Sequence, residues 1–199
     1  MIVRSPERAS IENIQKLVNK NISWILKNQK EAKRKCSEIK HKEFINGEEF
    51  LYMGDICRLL IVEDTDIPLT HNNGNFYLAK EYTGKARELF AKWYKEQALR
   101  IISERVVRYS SIAGLKYNKI KITNARKRWG SCGTNDNLYF SRYLIMAPLS
   151  VIDYVVVHEL AHIKEKNHSK RFWNEIKALF PEYKKHKKLL RENGHILTI

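Results

Sequence analysis

Residues 155–173 of the chain read VVVHELAHIKEKNHSKRFW, and no other stretch constrains the fold as strongly. Val155, Val156, Val157, Leu160, Ala161 and Ile163 make the segment apolar nearly all round, which predicts a helix at the centre of a core. Two histidines and a glutamate are set into it, and burying them is costly unless something partners them. His158 and His162 stand four apart, so their imidazoles lie one above the other on one helix face and can reach a single ion. Neutral imidazole is a good zinc ligand. Glu159, beside the first histidine, projects close to the metal without having to bind it. From there it can take a proton from water on the metal, whose pKa zinc lowers to about 7. H-E-x-x-H is short enough to arise by chance in a solvated helix; the apolar surroundings give it weight here.

A catalytic zinc needs a third protein ligand and an open fourth position. His168 follows His158 by ten residues, the spacing of the pattern H-E-x-x-H-x-x-G-x-x-H. Where that pattern has Gly, this chain has Glu165, so the turn out of the helix is expected at Asn167, which tolerates a left-handed conformation. A carboxylate from the next helix, Glu175 or Glu182, is the alternative third ligand. Asp153 is expected to serve the helix N-terminus with Ser150, or else to accept from a liganding imidazole. Tyr154, Tyr183 and His186 are read as packing or surface, with oxyanion stabilisation the alternative.

The rest of the chain supplies a scaffold. Ser10 caps a predicted amphipathic helix carrying Ile11, Ile14, Leu17, Val18, Ile22 and Ile25 and running to about Lys35. Asn46-Gly47, Gly54-Asp55 and His71-Asn72-Asn73-Gly74 divide strand-like segments into a meander of hairpins. Thr83 is expected to cap a long helix, 84–112, which Gly114 stops. A strand at 118–124, a polar loop ARKRWGSCGTNDN and a strand-like LYFSRYLIM follow. Pro148 and Ser150 open the histidine-bearing helix, which extends to about Lys166. Ser169 caps the next helix, Pro181 closes it, and a basic helix occupies about 182–193. The expected division is 1–82, helix plus small sheet, and 83–199, the part with the chemistry, or one continuous domain.

With 199 residues, 43% hydrophobic and 30% charged, a buried core is feasible and disorder is excluded. No apolar run approaches the roughly 20 residues of a bilayer span, and MIVRSPERASIENI lacks the apolar stretch of a secretion signal. Cys36, Cys57 and Cys132 are odd in number and form no C-x-x-C, so neither a disulfide framework nor a thiolate zinc site is indicated; a reducing cytoplasm is expected. The formal charge of +15 attracts polyanions. Its densest runs, 27–35 and 184–191, read as solvated helix faces, because neither aromatic platforms nor a nucleic-acid reading motif accompanies them.

The stretch KRWGSCGTNDNLYFSRYLIMAPLSVIDYVVVHELAHIKEKNHSKRFW, with R-W-G-S-C before the histidine helix and N-H-S after it, resembles the YgjP-like metallopeptidase-domain family of zincin-like, metal-dependent hydrolases. The likeness extends over nearly the whole chain, including the Asn46-Gly47 hairpin and the closing LLRENG. It implies an α+β, zincin-like fold: a central metal-bearing helix beside a small, mainly antiparallel sheet, preceded by an N-terminal helix and β-meander. It also implies that His158, His162 and His168 bind zinc and that Glu159 is the base. Family members begin with extra strand residues, so a first strand or hairpin is expected to be missing. Within R-W-G-S-C, Arg128 can pair bidentately with a carboxylate or phosphate and Ser131 can donate locally, or Arg128 and Trp129 simply pin the loop. The strand near Leu138–Ser141 is expected to be the edge on which an extended substrate is laid.

The leading expectation is hydrolysis of peptides at a single zinc. One rival is a nucleotide phosphoanhydride hydrolase, with Arg128 and lysines holding phosphates. Another is a non-enzymatic, basic nucleic-acid-associated module with structural zinc; Glu159 counts against it, since a structural site has no use for a base.

Overall fold

Ser10 opens the first helix through its Oγ, which accepts from the Asn13 amide at 3.3 Å. The single predicted helix is in fact two, α1 (Ile11–Lys20) and α2 (Ile22–Glu38), with Asn21 between them. The Asn21 side chain donates to the Leu17 carbonyl at 2.8 Å, an alternative to the helical ladder of the kind Asn offers. No residue of either helix is buried. The structure, a computed structural model, describes residues 3–38, 41–63 and 65–199. The chain divides into two compact units, Met1–Lys40 and His41–Ile199.

The second unit begins with four strands, β1 (Glu49–Tyr52), β2 (Asp55–Val62), β3 (Leu69–Asn72) and β4 (Asn75–Ala79). Two of the expected hairpins form. Met53 and Gly54 turn β1 into β2, and Asn73 and Gly74 turn β3 into β4, all four with positive φ, as tight hairpin turns require. The meander itself does not form. Sheet order is β1-β2-β4-β3, with β2 and β4 parallel. This arrangement puts the apolar β4, whose Phe76 and Leu78 are fully buried, in the middle and leaves the short, polar Leu-Thr-His-Asn strand at an edge.

Thr83 is not a cap: it lies in a 3₁₀ turn, Lys80–Lys85, and donates to the Lys80 carbonyl. The long helix α3 (Ala86–Ala113) starts after it and stops at Gly114, left-handed at φ 61° as the stop requires. A second sheet follows, built from β5 (Ile120–Thr123), β6 (Gly130–Cys132) and β7 (Leu138–Ser141) in the order β5-β7-β6. The last helices are α4 (Leu149–Lys164), α5 (Lys170–Leu179) and α6 (Tyr183–Asn193). Ser169 caps α5 as expected, accepting from the Phe172 amide at 3.3 Å.

From His41 onward one core runs through both sheets and the helices. Phe50 stacks on Phe90 of α3 with centroids 4.4 Å apart, and Tyr94 donates to the Leu51 carbonyl at 2.7 Å. The same cluster continues through Ile102 and Val106 to Leu144, Val156 and Leu160. Helix α4 is the centre of this core: from Val151 to Ala161 every residue but His158 is buried. The result is a mixed α+β fold with the histidine-bearing helix α4 beside a small sheet. Among the described residues no helix is long and apolar enough to cross a membrane.

Candidate metal centre

On α4, His158 and His162 stack along one face with ring centroids 5.0 Å apart. The chain leaves the helix through Glu165, which is extended at φ −124°, ψ 101°. Asn167 is not among the residues with positive φ, so the expected left-handed turn there does not occur. An extended Glu165 redirects the chain without glycine, and its carbonyl stands 3.0 Å from His162 Nδ1. The return brings His168 back over α4, with its Nε2 3.1 Å from His158 Nε2. One ring nitrogen from each of the three histidines lies within 4.8 Å of the others.

These side chains fit a divalent ion. Ligands on a tetrahedral zinc at about 2.0–2.1 Å are roughly 3.3 Å apart, close to the separation of the His158 and His168 nitrogens. His162 gives its Nδ1 proton to a backbone carbonyl, which orients the ring and leaves the Nε2 lone pair inward, the arrangement usual for liganding histidine. His158 Nδ1 is buried without a hydrogen-bond partner. Burial, and next His162 and His168, hold the His158 imidazole down to about 3, so it is neutral, the form that binds metal. Burial also lowers His162. Neither Glu175, paired with Lys164 at 3.0 Å, nor Glu182 joins this cluster.

Glu159 points away from solvent, only 5% exposed. Burial raises its carboxyl to about 8, and the Cys132 backbone amide and the Arg128 charge oppose that rise. The polar loop expected at 125–137 is where these partners come from, and it contains a strand. β6 pairs antiparallel with β7, Gly130 opposite Phe140 and Ser131 opposite Tyr139. Trp129 and Gly133 bond across to β7, so by alternation Gly130 and Cys132 turn their backbone groups outward. The expected substrate edge at Leu138–Ser141 is therefore wrong: β7 is the central strand, and the edges are β5 and β6. Gly130 lies so close to Glu159 that a Cβ there would stand 2.6 Å from Oε1. Its lack of a side chain makes room for the carboxylate.

The remaining expected residues are placed as follows. Arg128 is exposed and acts on Glu159 only through its charge. Ser131 is half-buried on β6. Trp129 packs where a Cβ on Gly194 would meet its ring at 2.8 Å, which explains both the pinned loop and the glycine of LLRENG. The Cys132 thiol faces the Gly133 carbonyl and is not in the histidine cluster. Asp153 caps nothing. It is buried and takes a fork from Arg105 of α3, Nε to Oδ1 at 2.6 Å and the terminal nitrogen to Oδ2 at 2.8 Å, with the Tyr109 hydroxyl 3.2 Å away. Tyr154 packs beside His158, rings 5.9 Å apart, its hydroxyl pushed up to about 12 chiefly by burial and then by Glu159. Sequence reasoning missed Gly130 as a cradle, and it missed Trp173, whose ring stacks with His168 at 5.8 Å. The phrase N-H-S-x-x-F-W held the second signal.

No curated protein matches the chain. Among solved structures, the metallopeptidase zymogen abylysin of Pyrococcus abyssi is similar over 47% of this chain and 95% of its own, with 19% identity and a TM-score of 0.43. The metallopeptidase zymogen jannalysin of Methanocaldococcus jannaschii is similar over 46% and 95%, with 22% identity and a TM-score of 0.41. Wss1 from Saccharomyces cerevisiae is similar over 50% and 84%, with 19% identity and a TM-score of 0.38. The family model described as YgjP-like, metallopeptidase domain matches residues 1–193. The chain belongs to the YgjP-like, metallopeptidase domain family and is a metal-dependent, peptidase-like hydrolase.

Proposed function

We propose that the protein hydrolyses peptide bonds at one zinc held by His158, His162 and His168, with Glu159 as the general base. The carrying observation is the convergence of three ring nitrogens within 4.8 Å, one of whose rings is already oriented by a carbonyl on its far nitrogen. A set of three imidazole ligands suits zinc in its catalytic form, which keeps its fourth position for water. When bound, zinc supplies a water made acidic at neutral pH and a Lewis acid for the scissile carbonyl. A cation beside Glu159 favours the ionised carboxylate against the burial that otherwise keeps it protonated. In that form Glu159 accepts a proton from the attacking water and returns it to the leaving amine.

The outward backbone groups of Gly130 and the Cys132 carbonyl offer an extended peptide a strand to pair with. Because the Cys132 amide also meets Glu159, a peptide laid there passes beside the base. Arg128 and Ser131 flank the same edge and are assigned to substrate binding.

Metal analysis and peptide turnover test this reading together. Glu159→Gln is expected to keep its zinc and to lose roughly 10²–10⁴-fold in kcat. His162→Ala should lose both metal and turnover. Undiminished activity in Glu159→Gln defeats the mechanism, and phosphate release from nucleoside triphosphates without peptide cleavage moves the substrate to the nucleotide class.

A further inference from the structure

Helix α6 turns four cations to one side. Lys184, Lys187, Lys188 and Arg191 occupy positions i, i+3, i+4 and i+7 and are all exposed, while Tyr183 and His186 of the same helix face the core. Read along the sequence alone, this run is a solvated face. The fold sets Trp173 of α5 against it. Together with Trp173 and Tyr183, the four cations line a cavity of about 510 Å³, and among the described residues no carboxylate lines it.

Trp173 is a wall shared with the metal centre. Lys187 Nζ lies 4.0 Å from its ring centroid, and its ring also stacks with Tyr183 at 5.4 Å and 18°. The same ring stacks with His168 at 5.8 Å and 30°. Like charges at helical spacings of three and four repel one another. Of the acids on α5 and α6, Glu175 is paired with Lys164 at 3.0 Å and Glu192 stands 4.0 Å from Arg191.

We propose that this cavity is a substrate subsite that takes an acidic segment of a peptide, its carboxylates spread along α6 and its backbone leading past Trp173 to the histidine cluster. The proposal rests on the peptidase reading and names the substrate class for that site. The spacing favours a peptide over a single phosphate. Positions i to i+7 of a helix span about 10 Å, whereas acidic side chains on alternate residues of an extended strand are about 7 Å apart. Two such carboxylates fit the stripe; one phosphate cannot reach its two ends. Single-stranded nucleic acid, the other polyanion, needs open ring faces on which to stack bases. Here Lys187 covers Trp173, and Tyr183 is only 8% exposed.

The test uses the full chain, zinc-loaded, and a fluorescent peptide with Glu at alternate positions beside its Gln counterpart. Fluorescence anisotropy should show the Glu peptide binding about tenfold tighter or more, the sum of a few surface ion pairs. That preference should vanish in Lys184→Gln/Lys188→Gln and survive in Lys184→Arg/Lys188→Arg, with circular dichroism checking that both variants fold. Equal binding of the two peptides, or a preference undiminished in the Gln variant, overturns the proposal. So does displacement of the peptide by oligothymidylate at lower concentration than by the unlabelled Glu peptide. Cleavage is read in parallel as the ratio of kcat/KM for the two peptides, expected to fall in the Gln variant. A lysine-dependent binding preference with neither peptide cut supports the cavity and sinks the peptidase reading, so the two failures are distinguishable.

Discussion

Glu159 carries a carboxylate into a region from which water is nearly excluded, and what surrounds it there is backbone: the Cα of Gly130 on one side and the Cys132 amide on another. A carboxylate so placed is set by sterics more than by its own rotamer preference. Gly130→Ala puts a carbon 2.6 Å from Oε1 and must displace it. Because a misplacement of about 1 Å at a reacting group can cost roughly 10²-fold in rate, Gly130→Ala is expected to lower kcat by that order while zinc content, measured by atomic absorption, stays at wild-type level. Full activity in that variant shows that Glu159 tolerates displacement and is not the base. The φ of Gly130 is not in the left-handed region, so the requirement is close approach. Nothing local announces such a contact, since Gly130 and Glu159 meet only through the packing of β6 against α4.

Helix α4 is held at its start and along its flank. Its start is fixed by Pro148, against which Gly54 of the β1–β2 turn packs so tightly that a Cβ would come within 2.8 Å. Its flank is held by Asp153, gripped from α3 by Arg105, the two side chains 9% and 10% exposed. Removing one member of a buried ion pair strands the other and costs about 3–5 kcal/mol, whereas replacing both with apolar groups is often close to neutral. Arg105→Leu should therefore lower the urea midpoint sharply, and Arg105→Leu with Asp153→Leu should recover most of the loss. If the double variant is as unstable as the single one, the pair is stabilising in its own right. The helix spans from α3 onward were legible from apolar periodicity to within a few residues, the break at Asn21 was not, and the caps at Ser10 and Ser169 were, because those bonds reach only a few residues. Thr83, Asn167 and Asp153 were misplaced for the opposite reason: in each case a competing partner, a 3₁₀ turn, an extended Glu165 or a distant arginine, decided the outcome.

At the scale of the whole molecule, residues 41–199 share one core, in which Phe50 and Phe76 from the first sheet meet Phe90 and Tyr94 of α3. Cutting the chain at 82/83 exposes these rings, and at about 1.5–3 kcal/mol for each large side chain returned to water the loss rivals the 5–15 kcal/mol of a typical domain. We expect a fragment spanning 83–199 to lack a cooperative thermal transition and a fragment spanning 41–199 to retain one. A folded 83–199 fragment supports two separate domains instead. Metal acts at this scale too. An ion present at about a thousand times its dissociation constant adds roughly 4 kcal/mol to stability, so stripping with a chelator should lower the melting temperature, and zinc should restore it in the wild type but not in His162→Ala.

The histidine spacing, the apolar helix around it and the caps at Ser10 and Ser169 were settled by the sequence by itself, because a helix repeats every 3.6 residues and brings His158 and His162 together wherever it is placed. Strand order, the edge role of β6, the Gly130 cradle and the meeting of α6 with Trp173 were decided only by the tertiary structure. Each joins residues far apart in the chain, and what selects among the possible pairings is how much apolar surface the whole core can bury, a quantity no local pattern contains.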